Sequence, residues 1–149
     1  MQKFKAAATQ VDVKYQDLER NIQTHLRMIE ETAQAGCRLV AFPELSVTGH
    51  NGSAEVVQFA EEADGRIARI MQQQAQKHDI IVAYGFAEVY RGTHYNSYAL
   101  VGPAGLLGVQ RKVHASYDEF FRFRQSYEWE LFDLGFCKAG VAICHDSDF

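Results

Sequence analysis

The fold is decided by residues 4–43, which read FKAAATQVDVKYQDLERNIQTHLRMIEETAQAGCRLVAFP. Residues 4–11 and 38–42 mix apolar and β-branched side chains and predict two strands. Between them, apolar side chains recur at steps of three and four, the pattern of one face of an amphipathic helix: Leu18, Ile22, Leu26, Ile29 and Ala33. Asp17 is placed to cap the start of this helix, and Gly36 follows its end. A strand, a helix and a strand in this order predict two parallel strands in one sheet.

The rest of the chain adds a second helix and more strands. A short helix, with Ser53 placed to cap it, precedes a longer amphipathic helix over residues 66–78. Three strands separated by glycine-containing turns then predict an antiparallel meander: residues 80–90, 95–101 and 106–111. A long aromatic loop over residues 116–127 leads to strands near 128–133 and 138–143. The sequence therefore predicts the α/β class with a mixed sheet.

Length and composition predict a single domain over residues 1–149 with a substantial core, because 47% of the residues are hydrophobic. Acidic and basic residues are interspersed, the net charge is -4, and no run of lysine or arginine marks a nucleic-acid surface. Residues 6–9 are too short an apolar run for a signal peptide, and no segment approaches the roughly 20 apolar residues that span a bilayer. We therefore expect a cytoplasmic protein that binds neither nucleic acid nor membrane.

The chain has three cysteines, Cys37, Cys137 and Cys144, without Cys-x-x-Cys spacing. An odd number in this pattern argues against a disulfide framework and against a zinc site. We interpret Cys37 and Cys137 as small buried hydrophobic residues. His145 and Asp146 resemble a metal-binding pair, but no second cluster at ligand spacing accompanies them, so no metal is expected.

Three residues at predicted strand ends have side chains that could carry chemistry: Glu44, Lys112 and Cys144. Cys144 ends an apolar strand before a polar stretch, where α/β folds place reactive groups, although a buried structural cysteine fits the same pattern. Glu44 is either a general base or a cap of the following turn. Lys112 is either a solvated strand end or a cation that favours a thiolate and stabilises an oxyanion. Together, the three groups suffice for acyl transfer without a metal or an organic cofactor.

Four short segments match a known set of motifs and occur in the same order along the chain: residues 42–49, 96–105, 111–114 and 140–146. They begin with Phe-Pro-Glu-Leu and end with Ile-Cys-His-Asp, and they resemble the motifs of the nitrilase superfamily, also called the carbon–nitrogen hydrolases. The glutamate, lysine and cysteine of those motifs match Glu44, Lys112 and Cys144. Glu119, seven residues past the lysine, matches a second glutamate of the family. His145 stands where the family often has tyrosine.

The resemblance implies an activity and a role for each matched residue. Glu44 would take the proton of Cys144, and the thiolate would attack the carbon of an amide, carbamoyl or nitrile substrate. Lys112 and the backbone N–H of His145 would stabilise the oxyanion, so His145 would lie against the substrate. Ammonia or an amine would leave, and water would hydrolyse the thioester. Glu119 would orient Lys112 or assist the water.

The resemblance also implies a fold, and it implies that this chain corresponds to only part of a family member. Family members form an αββα sandwich from two similar halves, and this chain matches the first half, a mixed sheet with helices on one face. The chain ends shortly after the nucleophile motif, so we expect a truncated domain. A second half or another copy of the chain is then expected to cover the open sheet face, because soluble monomers rarely expose large apolar faces. The alternative function is an inactive half-domain or a partner-binding fragment without turnover of its own.

Overall fold

The structure is a computed structural model, which describes residues 3–50 and 54–149. Strand β1 (Ala6–Ala8), helix α1 (Leu18–Gln34) and strand β2 (Leu39–Ala41) follow one another. The two strands are parallel and pair in register, with Ala7 opposite Val40. The predicted strand–helix–strand unit is confirmed, although both strands are shorter than the sequence pattern suggested. Strand β1 lies at the edge of the sheet and pairs with β2 alone, so few hydrogen bonds are available to lengthen it.

Helix α1 begins and ends where its capping residues predicted. The carboxylate of Asp17 accepts a hydrogen bond from the Arg20 N–H at 3.1 Å. At the other end, Gly36 takes a φ of +79°, and its N–H donates to the Ala33 carbonyl. This left-handed conformation favours glycine, which explains why the helix stops there.

Helix α2 (Arg66–His78) has the predicted bounds. Its inward face contains Ile67, Met71 and Ala75, which are buried, whereas Ile70 is half-buried. A short 3-10 helix, Ala54–Phe59, precedes it. Ser53, the predicted cap of that short helix, lies outside the described residues.

The predicted meander is confirmed and completes a five-stranded mixed sheet. It consists of β3 (Ile81–Tyr90), β4 (Thr93–Gly102) and β5 (Gly105–Arg111), paired antiparallel. Strand β3 also pairs in parallel with β2, so the strand order is β1-β2-β3-β4-β5. The parallel part of the sheet therefore meets the antiparallel part at β3.

Both helices pack on one face of this sheet. Alternate residues of β3 point to that face, as strand geometry requires: Val82, Tyr84 and Phe86. They join residues of α1 and α2 in one cluster, which includes Ile22, Ile29, Ile67 and Met71. The helices and the sheet thereby form two layers around a shared core, as the α/β prediction required.

The opposite sheet face is partly covered by a hairpin of β6 (Leu131–Asp133) and β7 (Lys138–Gly140). Phe132 and Leu134 pack there against Ile81, Ala83 and Leu100. A groove of about 370 Å³ remains between this face and the chain that follows β7. The predicted strand over residues 138–143 ends earlier, at Gly140, and the Ile143 N–H donates to the Asp146 side chain instead of a strand.

No helix within the described ranges is long and apolar enough to cross a membrane.

Candidate active site

The sheet brings the predicted site residues to one edge. Strands β2 and β5 run in the same direction, because each is related to β3 by a parallel pairing or by two antiparallel pairings. Their carboxyl ends therefore lie at the same edge, where α/β sheets commonly bind ligands. Glu44 follows β2 and Lys112 follows β5. The Lys112 ammonium lies 2.7 Å from a carboxylate oxygen of Glu44.

Glu44 is held in a tight turn that presses on β3. Leu45 takes a φ of +49°, and the Ser46 N–H donates to the Pro43 carbonyl at 3.2 Å. Gly85 makes this approach possible, because a Cβ there would lie 2.4 Å from the Leu45 nitrogen. The Glu44 side chain is left 20% exposed, enough for contact with a ligand.

The same turn is held from below by helix α1. The buried His25 ring donates from Nδ1 to the Asn21 carbonyl at 2.7 Å, and its Nε2 lies 2.9 Å from the Ser46 hydroxyl oxygen. The Asn21 amide donates to the carbonyl oxygens of Lys14 and Val47. Two polar side chains on the buried face of the helix therefore fix the segment that follows Glu44.

Lys112 is buried between two carboxylates. Its Nζ lies 2.7 Å from Glu44 Oε1 and 2.7 Å from Glu119 Oε2. Burial acts to lower the pKa of Lys112, but hydrogen bonds to Glu119 and Glu44 and their negative charges outweigh it and raise the pKa. The side chain is therefore a fixed ammonium ion at neutral pH.

Glu119 lies in the 3-10 helix Tyr117–Phe121 and is buried. Its Oε2 accepts hydrogen bonds from the Ser116 N–H and hydroxyl, each at 2.7 Å, as well as from Lys112. Burial acts to raise its pKa, but these bonds and one from Asn96 hold the pKa at about 2. Glu119 is thus a permanent anion that pairs with the lysine.

Asn96, in β4, links the two carboxylates. Its amide nitrogen donates to Glu44 Oε1 and to Glu119 Oε1, both at 2.7 Å. The side chain is almost fully buried, and it closes a ring with Lys112. The sequence marked Asn96 as part of a motif without a role in the site, and the available signal was an amide in the middle of a strand, where asparagine is rare.

Cys144 is exposed and begins the 3-10 helix Cys144–Asp148, with a φ of +50°. Partial burial of its thiol raises the pKa, as do the charge of Glu44 and a hydrogen bond to Glu44. Lys112 and the backbone N–H of His145 act in the opposite direction. The thiol is therefore neutral at rest and lies within reach of a carboxylate that can take its proton.

The other predicted residues lie as follows. The His145 side chain pairs with Asp148 at 2.9 Å and lies edge-on to Phe149, while its backbone N–H acts to lower the pKa of the Cys144 thiol. Cys37 and Cys137 are partly buried and pack against the two apolar clusters. They are less buried than the sequence interpretation assumed, because each lies at the margin of its cluster.

Asp146 is a second buried residue without a role in the sequence prediction. One of its oxygens accepts from the Val113 and His114 N–H groups, at 3.1 and 2.6 Å. The other accepts from the Ile143 N–H at 3.0 Å. The pairing with His145 that suggested a metal site is not observed, since Asp146 bonds to backbone. Within residues 3–50 and 54–149, no group of three or more His, Cys, Asp or Glu side chains could hold a metal ion.

Comparisons with known sequences give one family. A family model described as carbon-nitrogen hydrolase matches residues 5–149. A nitrilase of Pyrococcus abyssi is 34% identical over 146 residues, which are 95% of this chain and 56% of that protein. An omega-amidase of Xenopus laevis is 31% identical over 140 residues, 87% of this chain and 50% of that protein. The chain spans about half the length of these curated relatives.

Solved structures agree on the fold. An amidase from Nesterenkonia sp. superposes with a TM-score of 0.85 at 15% identity, over 97% of this chain and 56% of that one. A glutamine-dependent NAD+ synthetase from Acinetobacter baumannii, in complex with ADP, gives a TM-score of 0.80 at 25% identity, over 97% and 28%. The arrangement of the strands and helices is therefore shared with these proteins.

Proposed function

Because the chain belongs to the carbon–nitrogen hydrolase family, we propose that it hydrolyses non-peptide carbon–nitrogen bonds of an amide, a carbamoyl compound or a nitrile. The observation that supports this proposal is one cluster at the sheet edge. Lys112 lies 2.7 Å from both Glu44 and Glu119, and Cys144 lines the same groove as Glu44. A nucleophile, a base and a cation thus stand together.

The proposed first half-reaction forms a thioester. For an amide substrate, Glu44 takes the proton of the Cys144 thiol, and the sulfur forms a bond to the carbonyl carbon. The oxyanion that results is stabilised by the Lys112 ammonium and by the backbone N–H of His145. Glu44 then returns the proton to the leaving nitrogen, the carbon–nitrogen bond breaks, and ammonia or an amine departs.

The second half-reaction regenerates the thiol. Glu44 takes a proton from water, and the water oxygen attacks the thioester carbon. The carbon–sulfur bond breaks, the proton returns to the sulfur, and a carboxylic acid is released. Glu119 and Asn96 keep Lys112 and Glu44 in place through both steps, because they bond to them directly.

An ammonia-release assay over a panel of amides, carbamoyl amines and nitriles tests the proposal. We expect Cys144→Ala to abolish turnover, since no other nucleophile is assigned to the thioester step. Cys137→Ala is the matched control. The Cys137 thiol packs against the apolar cluster that contains Phe132 and Leu134, so its removal is expected to leave turnover intact. Unchanged ammonia release in Cys144→Ala would refute the assignment.

A second candidate has its own support. The chain spans about half of its curated relatives, and a groove stays open beside Cys144. The 149 residues would then carry the reacting groups but need a second half for turnover. Absence of ammonia release from every compound, in a folded chain, would favour this alternative over the first.

A further inference from the structure

We infer that Asp146 is a positioning residue, which sets the placement of Cys144 relative to Lys112 by joining the two chain segments that carry them. This inference rests on the proposed function, because it concerns the same site. It assigns Asp146 no contact with the substrate and no part in proton transfer. Its role is to hold the thiol where Glu44 can take its proton.

The contacts of Asp146 reach both segments within two residues of the reacting groups. Val113 and His114, whose N–H groups donate to Oδ1, directly follow Lys112. Ile143, whose N–H donates to Oδ2, directly precedes Cys144. A single side chain thereby bridges the two backbones beside the site.

Strand pairing does not extend to Val113, His114 or Ile143. Strand β5 ends at Arg111, with one further bond from the Lys112 N–H to the Asn96 carbonyl, and β7 ends at Gly140, four residues before Cys144. The side chain of Asp146 is fully buried, so water does not compete for its three bonds. We therefore expect the Asp146 carboxylate to hold the two chain segments together, as strand hydrogen bonds do elsewhere in the sheet.

Both side-chain oxygens of Asp146 must accept hydrogen bonds from backbone N–H groups. Three N–H groups point at the carboxylate, and an asparagine in its place would turn an amide N–H₂ toward at least one of them. His114 adds little, because its Nδ1 is 3.3 Å away and poorly aligned, and its ring stacks on Phe149. The backbone donors thus explain why an acid stands here.

The experiment compares Asp146→Asn with the parent chain. Ammonia release should fall about 100-fold in kcat, the loss expected from a misplacement of about 1 Å, while KM changes little. Alkylation of Cys144 by iodoacetamide, followed by mass spectrometry across pH, gives a readout that needs no substrate. Its pH midpoint should move down toward that of an ordinary thiol, because the thiol moves away from the negative charge of Glu44, which raises its pKa.

Glu61→Gln is the matched control. Its carboxylate also accepts a backbone N–H, from Ile67 at 2.8 Å, but at the start of α2 on the helix side of the sheet. The same acid-to-amide change there should leave both kcat and the alkylation midpoint unchanged. If Asp146→Asn does not fold, Asp146→Ser, whose hydroxyl can still accept a hydrogen bond, should show the same shift in alkylation.

The outcomes separate the two claims. A folded Asp146 variant whose alkylation profile coincides with that of the parent overturns the positioning role, as does an equal shift in Glu61→Gln. A parent chain that releases no ammonia refutes the proposed activity of this chain, and the alkylation comparison still decides the role of Asp146.

Discussion

His25 is a titratable group that the fold holds in its neutral form. Its ring is fully buried on α1 and stacks on Phe42 with centroids 4.1 Å apart. Burial lowers its pKa from 6.5 to about 4, against the hydrogen bond to the Asn21 carbonyl, which acts to raise it. The neutral ring leaves Nε2 free to accept from Ser46, next to the turn that carries Glu44.

His25 predicts a loss of stability in mild acid. Between pH 6.5 and pH 4 the unfolded chain binds a proton at His25 that the folded chain does not. The free energy of unfolding therefore decreases as the pH is lowered through this range. The full loss is about 3 kcal/mol, from a difference of roughly 2.5 pKa units. Urea unfolding at pH 7 and pH 4.5 measures most of this loss, since the folded chain is fully protonated at His25 only below pH 4. His25→Gln should flatten the part of the slope that lies above pH 4.5, and an equal slope in that variant would contradict the assignment.

At the scale of elements, the turn after β2 is fitted to β3 through Gly85. A Cβ at Gly85 would lie 2.4 to 2.8 Å from backbone atoms of Leu45, Pro43 and Glu44, closer than real Cβ contacts occur. The helix-side core lies on the other face of β3, so β3 has little room to retreat. The position of Glu44 thus depends on one residue in a neighbouring strand.

Gly85→Ala should therefore displace the Glu44 turn and destabilise the fold by about 1–3 kcal/mol, the usual range for overpacking. Thermal unfolding measures the second effect, and the pH midpoint of Cys144 alkylation measures the first. Gly140→Ala is the control, because nothing lies within 4 Å of a Cβ there. Equal behaviour of the two variants would show that the close approach at Gly85 has no structural cost.

The sequence predicted the elements better than it predicted their polar contacts. The bounds of α2 and the parallel pairing of β1 with β2 followed from periodicity and from strand order, which are local signals. Asn96 and Asp146 were missed as site residues, because buried polar side chains look like surface residues until their partners are known. Glu119 was predicted through the family resemblance; it is buried and pairs with Lys112, and its role stays a prediction.

At the scale of the whole molecule, the second sheet face is half covered. The hairpin of β6 and β7 packs on Ile81, Ala83 and Leu100, and the groove beside it is also lined by Leu39, Ala41, Tyr98, Ala139 and Val141. We propose that a second half or another copy of the chain covers this groove. Apolar area of this kind is more stable buried than in water.

Ala139→Glu tests that proposal for copies of the chain. A charge in the groove should reduce assembly, so the molar mass from light scattering should fall from that of an oligomer to 16.9 kDa. Lys138→Glu, on the exposed neighbouring position of β7, is the control and should leave the mass unchanged. A parent chain that is already monomeric and monodisperse, with the groove open, would contradict the need for a cover.

The pairing of Lys112 with two carboxylates also determines the net charge of the cluster during the reaction. With Glu44 and Glu119 ionised, the Cys144 thiol neutral and Lys112 charged, the cluster carries one net negative charge. Moving a proton from sulfur to Glu44 transfers charge within the cluster and leaves that total unchanged. The nucleophile can therefore form without adding a net charge beside the buried Lys112–Glu119 pair, which avoids the cost of placing a further ion there.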